Sequence, residues 1–315
     1  METEYREIDC QIKVFDLNRR ETERVGYPPG NPADGFLIRY RNGQRKWNIL
    51  LDGGKKGHGE KIILPYLREV GIRKLDMVFI SHMHFDHFGG FIDLLSDPYI
   101  EVEQLIYAPV SEDTISRGDR SGISPRLWEE LKAVMKERNV KEVKITEEDV
   151  GCRITLDDLF SFTIVATPIK RWEEDPGELN INDFNLILKM EFNAFSALFT
   201  GDCATKQAET ILRSPMEQTI RDITLLKAAH HGGDESTTVE FIRRCNPKLV
   251  LIPCNWLVVE ERPSFIQNLH EFTRHGAKIF RSDQCQDIDV YTDGRSICCL
   301  ARTQDYTEKV LFESL

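Results

Sequence analysis

The chain reads as an α/β protein in which two sheets pack face to face with helices outside each. Three observations predict this: strands open the chain, helices fall between later strands, and the same order returns in the second half. At 315 residues it exceeds one average domain, yet α/β layers of this size form single units with ample core, so one domain over 1-315 is expected. No internal repeat is strong enough to prove a symmetry between the halves.

Residues Cys10 to Asp16 alternate like a half-buried strand, and Phe36 to Ile38 and Trp47 to Leu51 follow as further strands beyond a Pro- and Gly-rich loop. Helical spacing of Ile62, Ile63, Tyr66, Leu67 and Val70 predicts a helix over 58–70, which Gly71 ends. Met77 to Ile80 is a buried strand. Ser124-Pro125 predicts a capped helix start, with Leu127, Leu131, Val134 and Met135 on one face up to about Arg138. The intervals 110–123 and 170–182 read as polar surface loops, either suited to form a lid. Strands return at 185–192 and 196–200, then a helix near 205–212 and a strand at 224–229. Helices near 237–245 and 263–275 precede closing strands at 278–281, 288–291 and 296–300.

Composition excludes some classes. A net charge of -11 disfavours a protein that coats duplex phosphates, which needs clustered Lys and Arg, although a local basic lip is compatible with it. The eight cysteines include no C-x-x-C pair and follow no apolar signal segment at Met1-Glu2-Thr3-Glu4, which fits reduced thiols in a cytoplasm. The most apolar stretch, Leu249 to Val259, is interrupted by Pro253 and Asn255 and is too short to cross a bilayer, so a soluble, cytoplasmic, unanchored chain is expected.

The segment Ser81-His82-Met83-His84-Phe85-Asp86-His87-Phe88-Gly89-Gly90 carries the chemistry. Three of the eight histidines fall within it, directly after the apolar run Met77 to Ile80. A buried strand entering a short loop turns His82 and His84 to one side and Asp86 and His87 into the bend, so that two ions are held a few Å apart. Two other apolar runs end in ligand-type residues: Leu198 to Asp202, and Leu225 to His231. Alone, Asp202 reads equally well as a helix cap. Strand ends converging on one edge are how α/β layers build sites, and that raises both.

Together, Asp52-Gly53-Gly54, His82-x-His84-x-Asp86-His87, Gly201-Asp202 and His230-His231 resemble the metallo-β-lactamase superfamily along most of the chain. Pro65 to Arg68, Asn185 to Leu188, Leu226-Lys227 before His230-His231-Gly232, and Ile279 to Asp293 are similar more closely to the hydrolase domain of ComEC-like competence proteins. The resemblance implies a four-layer αββα sandwich with a metal site on its edge and phosphodiesterase or nuclease-like hydrolysis; it does not imply transport, since the membrane channel is absent. It places His82 and His84 on a first metal, Asp86, His87 and His230 on a second, and Asp202 between them. Asp52 then orients a ligand from behind, His231 is an outer or substrate-contacting group, and Asp86, Asp202 and His231 stand closest to the chemistry. Two divalent ions are expected, zinc first and manganese as the alternative.

Three departures accompany the resemblance. No histidine lies between Phe88 and Ala229, so the first metal lacks a usual ligand, and Asn182, Asp183 or Asn185 are the nearby candidates. Glu261-Arg262-Pro263 stands where a histidine-proline pair is usual, and His231-Gly232-Gly233 where a glycine-serine is. A metal-bound water has its pKa lowered toward about 7, giving a hydroxide nucleophile for a phosphodiester, nucleic acid or nucleotide. Lys55, Lys56, His58, Arg117 and Arg120 are candidate phosphate contacts, though each reads as readily as a surface charge. The alternatives are a hydrolase of a carbonyl substrate such as a lactone, thioester or β-lactam, or a degenerate binding module. Oligomeric state is not legible.

Overall fold

The computed structural model describes residues 8–18, 32–119, 121–176, 179–233, 238–303 and 307–312. Arg120, Gly177, the N-terminal Met1 to Glu4 and residues 19–31 of the Pro- and Gly-rich loop lie outside them.

Among the described residues, one sheet has nine strands in the order Thr307–Phe312, Ile297–Arg302, Asp287–Thr292, Ile8–Val14, Gly35–Asn42, Arg45–Gly53, Met77–Ile80, Gln104–Tyr107 and Lys141–Lys144. The other has seven, ordered Lys278–Arg281, Leu249–Ile252, Leu225–Lys227, Phe195–Phe199, Ile187–Phe192, Phe160–Ala166 and Arg153–Thr155. Both ends of the chain meet in the first sheet, where Ile12 pairs with Val290.

Strand periodicity explains the layering. Ile38, Ile49 and Phe79 point between the sheets and meet Phe162, Leu188, Phe199 and Leu251, whereas Leu37, Leu50, Val78 and Ile80 point the other way. That outer face is covered by the helices Phe85–Ser96 and Ile123–Glu137 through Phe88, Phe91, Leu127 and Leu131. On the second sheet, Leu198, Leu226 and Val250 face the helices Thr205–Leu212, Val239–Cys245 and Pro263–Arg274 through Ala208, Ile211, Phe241 and Phe265. The result is the expected αββα sandwich. Because both faces of its central strands are covered, Met77 to Ile80 and Leu249 to Ile252 are unbroken apolar runs, each large side chain contributing about 1.5–3 kcal/mol by burial.

Several local expectations change. The 58–70 helix divides into a widened turn, Gly59–Ile63, and an α-helix, Leu64–Glu69, before Gly71 at φ 71°. Ser124 does not cap its own helix. That helix starts at Ile123, Asp119 Oδ2 accepts from Ser124 N at 2.7 Å, and Ser124 Oγ accepts instead from Phe85 N at 3.0 Å. The interval expected as loop holds a helix, Glu112–Gly118, capped by Ser111; it buries only Thr114 and Ile115, too little for an apolar stripe to be seen. The sequence reading does not anticipate the helix Phe85–Ser96, where it expects a short loop, the strand Leu249–Ile252, the strands between Gln104 and Ala166, the helix Trp256–Glu261 or the strand Thr307–Phe312.

Arg45–Gly53, Met77–Ile80, Gln104–Tyr107 and Lys141–Lys144 run parallel, as do Phe195–Phe199, Leu225–Lys227, Leu249–Ile252 and Lys278–Arg281. Carboxyl ends of parallel strands therefore gather at one edge of each sheet, the position where α/β layers place ligands.

Candidate metal centre

The histidine motif leaves the strand Met77–Ile80 extended, with His84 at φ -89° and ψ 142°, and enters the helix Phe85–Ser96 at once. His82 and His84 thus sit on the loop, and Asp86 and His87 on the first helical turn. His82 Nε2 lies 3.0 Å from His84 Nδ1, and the rings of His82 and His87 are 4.2 Å apart. The helix reaches this close because residue 90 is glycine: a Cβ there would stand 1.9 Å from Gly53 O.

Asp52, expected to orient a ligand from behind, lies at the end of the adjacent strand. Its Oδ1 accepts from Ser81 N at 2.8 Å, and its Oδ2 accepts from Ser81 Oγ at 2.7 Å and contacts His87 Nδ1 at 2.8 Å. Holding one ring nitrogen fixes the direction of the other, and His87 Nε2 points to Asp202 Oδ2 at 3.3 Å. Burial disfavours a charge on His87, but Asp202 and Asp52 outweigh it and raise its pKa well above 6.5. His82, buried and facing His87, is pushed well below 6.5.

Asp202 follows Gly201 at the end of Phe195–Phe199. It is not a helix cap, since the next helix begins at Thr205 after Ala204, and its own N–H donates to Asn185 Oδ1 at 2.9 Å. Burial opposes its charge, but His231, His87 and Lys227 hold its carboxyl well below 3.8.

The paired histidines exchange the places expected of them. His231, not His230, turns inward: its Nε2 is 3.2 Å from Asp202 Oδ2, and its Nδ1 is 2.7 Å from Pro253 O. His230 instead directs Nε2 toward Arg262 Nη1 at 3.2 Å and Asn182 Nδ2 at 3.3 Å. Both residues adopt left-handed φ, 46° and 56°, and this tight turn sends successive side chains in different directions. Two adjacent identical residues give a sequence no means of ranking them.

Two buried charges were not anticipated. Lys227 Nζ lies 2.7 Å from Asp34 Oδ2, 3.2 Å from Asp202 Oδ1 and 2.6 Å from Gly201 O. Burial lowers its pKa, yet Asp34 and Asp202 more than restore it, so the ammonium stays charged. Asp34 also approaches His231 Nδ1 at 3.4 Å. A lysine inside the otherwise apolar Leu225-Leu226-Lys227-Ala228-Ala229 was the available signal.

These donors suit divalent ions. His82, His84 and Asp202 offer ligand atoms within 4.8 Å of one another, as do Asp86, His87 and His231. The buried Nε2 atoms of His87 and His231 have no hydrogen-bond partner, although both stand near one Asp202 oxygen. Separations of 3.2–3.3 Å are those of two ligands on one ion, because a tetrahedron with about 2.0–2.1 Å bonds has edges of roughly 3.3 Å. Of the oxygen donors considered for the missing histidine, Asn185 bonds Asp202 N and Gln207, and Asp183 Oδ1 accepts from Gln207 N. Asn182 Oδ1 is buried and has no hydrogen-bond partner among the described residues.

The candidate phosphate contacts are not gathered here. Lys55 and His58 are buried, and Lys55 N donates to His58 Nδ1 at 3.2 Å. Lys56 pairs with Glu130, and Arg117 with Asp113 and the carbonyl of Glu173.

A sandwich of this order, with histidine and aspartate side chains gathered at its strand ends, is the metallo-β-lactamase fold. Residues 47–252 match the beta-lactamase superfamily domain, and the chain belongs to that superfamily. It is 29% identical over 226 residues to ComE operon protein 3 of Bacillus subtilis (strain 168), covering 72% of this chain and 26% of that protein. It is 21% identical over 252 residues to competence protein ComA of Neisseria gonorrhoeae, covering 80% of this chain and 30% of that one. The chain therefore spans less than a third of the length of either relative. Among solved structures it is similar to unliganded yeast PDE1, with a TM-score of 0.49 and 9% identity over 86% of this chain and 97% of the other. No described helix is long and apolar enough to cross a membrane.

Proposed function

We propose that this chain is a metal-dependent phosphodiesterase acting on a nucleic acid or nucleotide. The observation that carries the reading is the carboxylate of Asp202, one oxygen of which lies 3.3 Å from His87 Nε2 and 3.2 Å from His231 Nε2, while the same residue also groups with His82 and His84. One group would hold an ion through His82, His84 and Asp202, the other through Asp86, His87, His231 and Asp202. Divalent ions held so, zinc or manganese, supply Lewis acidity and an acidified water.

In the reaction a bond forms from water oxygen to phosphorus, the ester bond breaks, and the departing oxygen takes a proton. The protein fixes the donors for this. Asp52 and Pro253 O hold the rear nitrogens of His87 and His231, and Lys227 balances the charge of Asp34 and Asp202.

The space beneath the ligands, lined by Phe36, Leu51, Phe79, Leu188 and Phe199, is about 20 Å³ and receives neither a phosphodiester nor a carbonyl substrate, so experiment separates the two readings. The test is cleavage of bis-p-nitrophenyl phosphate with zinc or manganese added separately. Turnover that disappears in Asp202→Ala supports the proposal; turnover of p-nitrophenyl esters alone overturns it.

A further inference from the structure

Beside the metal donors, three groups converge in an arrangement that has more donors than acceptors. Arg262 Nη1 is 3.2 Å from His230 Nε2, and Asn182 Nδ2 is 3.3 Å from the same nitrogen. A neutral imidazole nitrogen has a single lone pair in the ring plane, so it fully satisfies one of these two donors. Flipping the Asn182 amide does not resolve the conflict: its oxygen would then need a proton on His230 Nε2, and that proton would face the guanidinium. In the orientation present, Asn182 Oδ1 is left without a hydrogen-bond partner, on a side chain that is 6% exposed. Among the described residues, no carboxylate forms an ion pair with Arg262.

The backbone keeps room for this meeting. A Cβ on Gly233 would lie 2.7 Å from Arg262 Cδ and 2.8 Å from its Nη1, so any larger residue would require the Arg262 side chain to shift. The left-handed turn at His230 and His231 then couples the two places: the second ring joins Asp86 and His87, the first faces Arg262, and the rings are 6.2 Å apart. His230 and Arg262 are both partly exposed, open to a ligand from solvent.

We propose that Asn182, His230 and Arg262 form an oxyanion subsite that holds a nonbridging phosphate oxygen of the substrate next to the metal centre. The inference deepens the phosphodiesterase reading and rests on it for its substrate. An anionic oxygen supplies the acceptor that the trio lacks, and a guanidinium is the donor best matched to a phosphate.

The experiment uses the full chain loaded with metal. Inorganic phosphate binding is measured by calorimetry, and KM and kcat are measured for bis-p-nitrophenyl phosphate, in wild type, Arg262→Ala, Arg262→Lys and Asn182→Asp. A hydrogen bond to a charged group predicts phosphate affinity about 10- to 100-fold weaker in Arg262→Ala, with a raised KM at unchanged metal content. Arg262→Lys should recover part of the loss. Asn182→Asp, which sets a carboxylate against the anion, should weaken phosphate binding even if Arg262→Ala does not fold. Phosphate affinity and KM at wild-type values in Arg262→Ala and Asn182→Asp, or no phosphate binding by wild type, overturns the subsite. Arg262-dependent phosphate binding by a chain that cleaves no phosphodiester keeps the subsite and removes the phosphodiesterase reading.

Discussion

Lys227→Met removes a buried ammonium that touches both Asp34 and Asp202. Lys227 and Asp34 are each 1% exposed and their charged atoms are 2.7 Å apart, so bulk water does not reach the pair to replace the lost partner. Deleting one member of a buried ion pair typically costs about 3–5 kcal/mol, because the other charge is left uncompensated. The cost should sit at the upper end here, since Lys227 also holds Asp202 Oδ1 at 3.2 Å and Gly201 O at 2.6 Å. Asp34→Asn should cost less, as Lys227 keeps Asp202. The double variant should be more stable than the two single losses added, by about 1–3 kcal/mol, as expected of residues in direct contact. Urea denaturation of the four proteins in chelator measures this without metal binding. Additive losses, or a Lys227→Met cost below about 1 kcal/mol, would refute the reading of Lys227 as the counter-charge of the site.

Other predictions concern placement and folding. His231→Ala should lower metal content, whereas His230→Ala should retain it, as measured by elemental analysis after dialysis; the reverse ranking would mean the turn at 230–231 is misassigned. Gly90→Ala forces a Cβ to within 1.9 Å of Gly53 O, and overpacking of this kind should cost at least about 1–3 kcal/mol in thermal or urea unfolding. Asp119 receives Ser121 N at 2.9 Å and Ser124 N at 2.7 Å; burial raises its pKa, but these and the hydroxyl contacts prevail and hold it below 3.8. Its contribution is therefore present above the unfolded carboxyl pKa of about 3.9 and is lost as pH falls through the lower folded value. Asp119→Ala should cost about 1 kcal/mol at neutral pH and flatten the acid limb of the stability profile; an acid limb identical to wild type would count against a stabilising role for these Asp119 contacts.

The sandwich was legible because its central strands are apolar on both faces and end in polar clusters. His82, His84, Asp86, His87 and Asp202 were legible for the same reason: each follows such a strand directly. Asp34 was hidden because it ends a polar loop, and its role depends on a pairing with Lys227, 193 residues later in the chain, that no local pattern encodes. His230 and His231 are separated only by the dihedral angles of one turn. The helix Glu112–Gly118 escaped notice because it buries two side chains, so hydrophobic spacing had almost nothing to report. Ser124 was misread as the cap of its own helix, since its hydroxyl oxygen instead accepts from Phe85 N across the packing interface.

The central claim is that Asp202 is shared between two ions. Metal stoichiometry of wild type and Asp202→Asn, a substitution that preserves volume, tests it most directly. Two divalent ions per wild-type chain, falling to one or none in Asp202→Asn with the fold retained by circular dichroism, is the result expected. Two ions retained in Asp202→Asn, or a single ion in wild type at saturating zinc and manganese, would contradict it.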